Sequence, residues 1–483
     1  MTPKAFAPCA VAFVMLIARA ASAQAQYTGQ PDSPQWLKDR RFNDGMGIRA
    51  GDLELHPAIA AEGGYDSNWL LRSDRNGVVN GPAPLSPNTA PAPVVPAIEL
   101  RVTPSLYMSS VAAHEGAEMP SFAFRGGISA TYREFICAGN DCTGVNDISQ
   151  QRSLSGVADL RLDMAPGRPV AGALFASYAR VVQPNLTTTD PNLSFNRDDV
   201  RAGAELGLQP GGGTLDWHFG YDFLASLFED STALGFDNLR HEVFMRGRWR
   251  FRPRSALIST TTLDFIGYTR GDLAAQQGLV DSTAVRSQMG YSGLLTDRFA
   301  VLGLLGWASS FYNASQVAQT PNYDSVSGQA EVKWFLAASP GVAAAVDIAG
   351  LSLSSIALGY TRGFSNSYLG NYYGSDRGYL HFSYFFAGGA TLGLEGGLGT
   401  VEYPDMFWAD GSLRHKSFTD VRADATLFSE YHFTNTFGLN ATLRYTSNFS
   451  SVHDLQDLKG DTLNVFDMEW KRFEAFLGAR LFW

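Results

Sequence analysis

Apolar and polar side chains alternate with a period of two along most of the chain. In residues 417–433 the even positions from Phe418 to His432 carry most of the charge, and the odd positions from Val421 to Phe433 are largely apolar. A period of two indicates β-strands with two different faces. The alternation recurs in residues 152–163, 199–208, 239–251 and 437–445. The chain is therefore predicted to be all-β.

Segments with this alternation are predicted as strands, and most are longer than the strands of soluble proteins. Soluble strands average about 5–6 residues, whereas a strand that crosses a membrane needs about 9–11. The predicted strands are residues 53–67, 97–109, 121–135, 152–164, 170–182, 198–209, 214–228, 239–252, 256–270, 283–296, 299–313, 324–338, 351–364, 375–387, 389–402, 417–433, 436–449 and 468–482. Their length favours a membrane barrel over a soluble sandwich, which also alternates.

The predicted connections alternate between long and short. The long ones are residues 68–96, 136–151, 183–197, 229–238, 271–282, 314–323, 365–374, 403–416 and 450–467. Most others are tight turns, with 110–120 and 339–350 as longer exceptions. Short periplasmic turns and long outer loops are typical of bacterial outer-membrane barrels. The predicted fold is a single transmembrane antiparallel β-barrel of about 18 strands (16–18), with both chain ends in the periplasm.

The first 25 residues have the pattern of a targeting segment. Lys4 precedes an apolar stretch at residues 5–18, and two A-x-A cleavage patterns follow within residues 21–25. A short membrane anchor is the alternative, but Arg19 interrupts the run before the ~18–20 residues that a span needs. The predicted organisation is a signal peptide at 1–25, a periplasmic N-terminal segment at 26–52 and a barrel at 53–483. The expected location is the bacterial cell outer membrane.

The chain ends in Gly478-Ala479-Arg480-Leu481-Phe482-Trp483. This end resembles the terminal assembly signal of outer-membrane barrels, Gly-x-x-apolar-x-aromatic, with Phe476 where a polar residue is usual. The alternative is an edge strand of a soluble domain, but an exposed edge of this composition would promote aggregation in water. Outer-membrane lipid and the barrel-assembly machinery, through this last strand, are therefore expected partners.

Composition narrows the function classes. Charged residues make up 17% of the chain, below the usual ~25%. The mean hydropathy of −0.09 disfavours a helical membrane protein. A net charge of −10 makes nucleic acid an unexpected partner. Because no HExxH, GxSxG or phosphate-binding loop occurs, the chain is predicted not to be an enzyme, and no cofactor or metal is expected.

Cys137 and Cys142 are the two cysteines that follow the predicted signal peptide. They bracket a short polar turn, Cys-Ala-Gly-Asn-Asp-Cys. In an oxidising compartment this spacing indicates a disulfide that closes a loop. A reactive pair is the alternative, and a metal site would need further Cys or His residues nearby.

In lipid, the apolar face of each strand points outward and the charged face lines the lumen. The candidate lumen-lining residues are Arg240, Glu242, Arg246, Arg248, Arg250, Asp420, Arg422, Asp424, Glu430, Arg444, Arg472 and Arg480. Further charges assigned to lumen faces include Glu99, Arg101, Arg133, Asp216, Asp222, Asp264, Arg286 and Glu474. One interpretation is a ladder of salt bridges that rigidifies the wall. The other is a selectivity lining, with the arginines of residues 240–250 as a basic stripe for an anionic polymer.

Aromatic residues near the predicted strand ends suit the girdles at the two membrane interfaces. They are Trp69, Tyr132, Trp217, Tyr268, Trp307, Trp334, Tyr360, Tyr403 and Tyr431. Ordinary packing between strands is the alternative for each of them.

Residues 47–68 read GIRAGDLELHPAIAAEGGYDSN. This segment resembles the entry segment of a family of outer-membrane β-barrel porins often encoded beside exopolysaccharide gene clusters. That family opens with a similar Gly-Ile-Arg, a strand containing Pro, and Tyr-Asp-x-Asn. Residues 265–268 and 359–364 are similar to its strand endings. The resemblance implies passage across the outer membrane, with export of a surface polysaccharide as the expected role.

Three function classes follow from the sequence: an exopolysaccharide translocation channel, a general or small-solute diffusion porin, and a closed structural or adhesive barrel. About 16–18 strands leave an aqueous channel unless a segment plugs it, and residues 68–96 and 450–467 are candidate plugs. The expected cargo is polysaccharide or small solutes. An exporter would need a separate periplasmic partner, docking at residues 26–46.

Overall fold

The computed structural model describes residues 45–73, 94–110, 121–139, 148–183, 195–230, 233–312, 320–336, 354–386, 390–408, 410–453, 455–456 and 465–483. Eighteen long strands form one antiparallel barrel. They are β2 (Leu53–Asp66), β3 (Ala97–Ser110), β4 (Phe122–Cys137), β5 (Ser153–Met164), β6 (Val170–Val181), β7 (Arg197–Leu208), β8 (Leu215–Phe228), β9 (Asn238–Arg252), β10 (Ser255–Tyr268), β11 (Ser282–Leu294), β12 (Phe299–Tyr312), β13 (Tyr323–Phe335), β14 (Ser355–Ser367), β15 (Asn371–Phe386), β16 (Ala390–Tyr403), β19 (Phe418–Thr434), β20 (Phe437–Phe449) and β23 (Trp470–Phe482). The predicted all-β barrel is confirmed.

Five short strands and three helical turns complete the described structure. The short strands are β1 (Ile48–Ala50), β17 (Met406–Phe407), β18 (Leu413–His415), β21 (Leu455–Gln456) and β22 (Val465–Phe466). The helix α1 spans Gly271–Gln276, and 3-10 turns span Ile148–Gln151 and Leu234–Phe236. Among the described residues, no helix is both long enough and apolar enough to cross a membrane.

The barrel closes between its last and first long strands. β23 pairs with β2 from Ala58↔Phe482 to Asp66↔Glu474. Beyond the end of β23, the short β1 pairs with residues 53–55 on the same edge of β2. Closure matters because an unpaired strand edge in hydrocarbon costs several kcal/mol per backbone group.

The two ends of the barrel differ in their connections. The end of the barrel at which β2, β6, β8 and β16 finish is called the long-loop end below. The opposite end, with turns such as 165–169, 253–254 and 435–436, is called the short-turn end. One predicted long loop, residues 365–374, is wrong. β14 runs to Ser367 and β15 begins at Asn371, so only residues 368–370 form the turn.

The outward face of the barrel is apolar. Leu305, Leu358 and Leu477 are each more than 60% exposed, and a continuous surface of this kind in water would mark an aggregation liability. The exposed aromatic residues of the predicted girdles are Tyr132, Trp307, Trp334, Tyr360 and Tyr431. The strand pattern and this surface fit a barrel that is surrounded by lipid.

Three residues assigned to the girdles lie elsewhere, and the prediction is wrong for them. Trp69 and Tyr403 are buried inside the barrel wall, and Tyr268 packs against buried residues at the long-loop end. Tyr268 lies on the same strand face as the buried Asp264, and Tyr403 on the same face as the buried Val401, so the alternation itself places both on the lumen side. Trp69 follows the end of β2, where the alternation stops. The predicted signal peptide, residues 26–44 and Cys142 lie outside the described residues, so those predictions and the Cys137–Cys142 disulfide remain predictions.

Candidate functional site

The twelve candidate lumen-lining residues lie on β9, β19, β20 and β23. On each strand they occupy the face opposite to the exposed apolar side chains, which is the lumen side of the wall. They are Arg240, Glu242, Arg246, Arg248, Arg250, Asp420, Arg422, Asp424, Glu430, Arg444, Arg472 and Arg480. Their part in transport stays a prediction.

Two acids, one on β9 and one on β10, neutralise Arg240 in the long-loop half of the β9 stripe. The Nη2 atom of Arg240 lies 2.6 Å from Glu242 Oε2 and 2.9 Å from Asp264 Oδ1. Arg286 of β11 contacts the other carboxylate oxygen of Asp264 at 2.6 Å. Asp264 is fully buried, and a carboxylate removed from water needs such partners. This half of the stripe is therefore an ion-pair network.

The short-turn half of the stripe is less completely paired. Arg248 Nη2 lies 2.6 Å from Asp216 Oδ2, and His218 bridges Asp216 and Glu205 at 2.7 and 2.6 Å. Arg250 follows on the same face, and no acid of the described ranges forms a salt bridge with it. The wall therefore becomes more positive toward the short-turn end of β9.

Candidates on β19 pair with residues of other strands. Asp424 lies 2.7 Å from Arg377 of β15, and Glu430 lies 2.8 Å from Arg480 of β23. These contacts join strands around the barrel. They support the interpretation of this part of the lumen lining as salt bridges that stiffen the wall.

The remaining β19 and β20 candidates lie nearer the long-loop end. Asn448 donates a hydrogen bond to Asp420 at 2.7 Å, and Arg422 donates to the hydroxyl of Tyr403 at 2.7 Å. Arg444 lies directly opposite Glu474 in the register of β20 and β23. The Tyr403 contact explains why this tyrosine is buried on the lumen side.

A charged cluster at the long-loop end of β2, β3, β4 and β23 is buried. Arg101 Nε lies 2.5 Å from Glu99 Oε1, and Arg472 Nη2 lies 2.5 Å from Asp66 Oδ2. The cluster comprises Asp66, Glu99, Arg101, Arg133, Arg472 and Glu474. Because three carboxylates face three guanidinium groups, its charges balance. Only Arg472 belongs to the twelve candidates.

Trp69 covers this buried cluster. Its ring centroid lies 5.1 Å from the Cζ atom of Arg472, 6.0 Å from that of Arg133 and 4.8 Å from the ring centroid of Phe135. Guanidinium groups over an indole face gain cation–π attraction. The first residues of the predicted plug 68–96 thus pack against the wall, and residues 74–93 lie outside the described residues.

Two apolar clusters lie at the long-loop mouth. The first mouth cluster is Phe195, Phe228, Ala233, Phe236, Ala274 and Leu279. The second mouth cluster is Tyr373, Val401, Tyr403, Met406, Val452 and Met468. Leu369, in the turn between β14 and β15, packs against both clusters. The described part of the predicted plug 450–467 includes Val452 of the second mouth cluster.

Tyr368 precedes Leu369 in the same turn and packs against the first mouth cluster. Burial raises the pKa of its phenol above the ordinary value, because the charged form would lose its hydration. The neutral phenol is therefore the form that fits this position. The sequence carried no signal for this contact, since residues 365–374 lack a regular alternation.

No family model matches the chain, and no curated protein matches it. The FrpB iron transporter from Neisseria meningitidis is similar over 90% of this chain and 82% of its own, at 8% identity and a TM-score of 0.44. OpdK of Pseudomonas aeruginosa, solved with vanillate, is similar over 89% of this chain and 99% of its own, at 12% identity and a TM-score of 0.42. OccAB4 of Acinetobacter baumannii is similar over 91% of this chain and 99% of its own, at 10% identity and a TM-score of 0.39. Similarity this low assigns the chain neither a family nor a substrate.

Proposed function

We propose that this protein is a channel of the bacterial outer membrane that passes an anionic polysaccharide from the periplasm to the cell surface. Bacterial outer-membrane barrels keep their short turns in the periplasm and their long loops outside. On that rule, the short-turn end faces the periplasm. A barrel of eighteen strands is wide enough for an aqueous lumen.

The uneven pairing along β9 carries this proposal. Near the long-loop end Arg240 contacts two acids, whereas Arg250 and Arg252 near the short-turn end form no salt bridge with any acid of the described ranges. Unpaired positive charge at an entrance raises the local concentration of an anion. Neutral pairs farther along would let it move on, because conduction requires weak binding.

The entry segment at residues 47–68 supports a polysaccharide as the cargo through its resemblance to porins encoded beside exopolysaccharide genes. Export also implies a periplasmic partner, for which residues 26–46 are the proposed docking segment. A diffusion porin for small anions would use the same basic entrance. The experiment therefore has to separate a polymer from small solutes.

The test is deletion of the gene in its host, with polysaccharide quantified on the cell surface and in the periplasm. Export predicts surface loss with retention inside, and full rescue by the wild-type gene. The variant Arg250→Gln/Arg252→Gln should rescue only in part. The matched control Arg180→Gln/Lys471→Gln removes the same charge from outward-facing positions of β6 and β23 and should rescue fully.

Unchanged surface polysaccharide after deletion would contradict export. Reduced uptake of small anionic solutes by the same deletion strain would then favour the diffusion porin. If neither polysaccharide nor solute uptake changed, the closed structural or adhesive barrel would be the remaining class.

A further inference from the structure

The wall of the barrel is incomplete between β13 and β14. Their pairing ends at Gly328↔Arg362. β14 continues to Ser367 paired with β15 alone, and residues 323–327 of β13 pair with β12 alone. On the other side of the hairpin, pairing with β16 begins only at Gly374. Residues 363–373 of the β14–β15 hairpin are therefore free of the wall on both sides.

The freed part of the hairpin bends into the lumen. Tyr360 and Arg362 are exposed on the outward face, so alternation would place Phe364 outward as well. Phe364 is instead buried, with its ring centroid 4.3 Å from Cζ of Arg286, a lumen-side residue of β11. The bend begins at Gly363, where a Cβ atom would meet no atom within 4 Å. Glycine has the least restricted backbone of all residues, which suits this position to a hinge.

Aromatic contacts hold the bent arms against β12 and β13. The ring of Tyr323 lies 4.5 Å from that of Phe364 and 5.3 Å from that of Tyr372, measured between centroids. Tyr312 stacks on Tyr372 at 5.6 Å. These contacts are between side chains, so they can separate without breaking a β-ladder.

The turn of the hairpin is anchored on strands β8 and β9 and on the loops beside them. The ring of Tyr368 meets Phe228 and Phe236 at 5.4 Å each, and both contacts are edge-on. Asn238 of β9 donates a hydrogen bond to the Tyr368 hydroxyl at 3.2 Å. Since β9 and β14 are separated by β10–β13 around the wall, the turn reaches across a sector of the mouth.

Asn371 forms the second anchor. Its side-chain amide donates to Gly278 O and to Thr320 Oγ1, both at 2.8 Å, and accepts from Val280 N at 2.9 Å. Its backbone has a φ of 70°, a left-handed conformation that Asn tolerates better than most residues. Because its side chain makes three hydrogen bonds, Asn371 is the main polar anchor of the turn and is called the latch below.

We propose that residues 363–373 form a hinged gate over the long-loop mouth, swinging about Gly363 between this latched position and an open one. The proposal rests on the channel function proposed above, but it concerns the passage itself and not the cargo. In the latched position Leu369 links the first and second mouth clusters across the mouth. Release of Tyr368 and Asn371 would separate those clusters and widen the exit.

Single-channel recording in planar bilayers tests the gate with potassium chloride alone. Asn371→Gly removes the three side-chain hydrogen bonds, and glycine accepts the positive φ without strain. Because each of the three bonds is worth roughly a factor of two to ten, we expect the ratio of open to closed time to rise at least about tenfold. Tyr445→Ala, which truncates an outward-facing tyrosine of β20, is the control and should behave as wild type.

The opposite variant locks the gate. In the oxidised double variant Thr320→Cys/Asn371→Cys, a disulfide would hold the hairpin in its anchored position and keep the channel in the low-conductance state until a reductant is added. Wild-type protein treated with the same reagents controls for the native cysteines. A heat-modifiability shift on gel electrophoresis verifies that each variant is folded.

Two results would overturn the gate. Equal open times for wild type, Asn371→Gly and the oxidised cysteine pair would contradict the gate but not the channel. An absence of conductance in wild type and in every variant would contradict both the gate and the channel.

Discussion

Charge at the long-loop end of the barrel is buried and paired, whereas at the rim of the short-turn end, beyond the buried and paired Asp216 and Glu430, some charge is exposed and, among the described residues, unpaired. At the long-loop end Asp66, Glu99 and Asp264 are completely buried and each contacts at least one arginine. At the rim of the short-turn end Arg252 is exposed, and the turn residues Arg254 and Asp297 form a pair that is at least half exposed on both sides. The same residue types therefore sit in two different dielectric environments.

The difference separates structural charge from charge that is free to act on a solute. A buried pair depends on both partners, because removal of one leaves an uncompensated charge. An exposed pair contributes little, because water and salt screen it. We therefore expect substitutions at the long-loop end to alter stability and those at the short-turn end to alter selectivity.

The largest expected effect is that of Asp264→Asn at the long-loop end. It leaves Arg240 and Arg286 without the carboxylate they share, and breaking a buried pair costs about 3–5 kcal/mol. The free energy of unfolding, measured with urea in lipid vesicles, should fall by that amount. A loss below about 1 kcal/mol would show that water reaches this site and would erase the distinction between the two ends.

Trp69→Phe should have a smaller effect at the same end. The smaller ring keeps an aromatic face but loses part of its contact with Arg133, Arg472 and Phe135, so we expect a loss of about 1–3 kcal/mol. Trp334→Phe, on the outward face of β13, is the matched control and should change the unfolding free energy less. Equal losses would mean that Trp69 has no special role as a cover for the charged cluster.

Asp297→Asn at the short-turn end should have the smallest effect on stability. Its partner Arg254 is half exposed, and exposed pairs contribute about 0–1 kcal/mol. The same urea titration measures the change. A loss comparable to that of Asp264→Asn would contradict the contrast between the ends.

The sequence was informative wherever a strand stayed in the wall. The period of two placed all twelve candidates on lumen faces, because each face of a barrel strand meets one environment along its whole length. It could not identify partners such as Arg377 for Asp424, since that contact reaches across β16 and depends on the register of three strands. Trp69 was misplaced because it follows the end of β2.

The bend of the proposed gate, residues 363–373, could not be predicted from the sequence pattern for a different physical reason. Phe364 breaks the alternation of β14 because the strand has left the wall there, so its two faces no longer meet lipid and lumen. From the sequence pattern alone, residues 365–374 are therefore predicted to be a loop. Their contacts with Phe228 and Gly278 join parts of the chain that are far apart in sequence, and no local pattern encodes them.

The most direct test of the account is the zero-current potential of the Asn371→Gly channel under a gradient of potassium chloride. The account predicts that chloride carries most of the current and that adding Arg250→Gln/Arg252→Gln shifts the potential toward cation preference. The outward-facing variant Arg180→Gln/Lys471→Gln should leave it unchanged. A conducting channel whose zero-current potential is unchanged by substitution of Arg250 and Arg252 would contradict the basic entrance. A barrel that never conducts would contradict the channel itself.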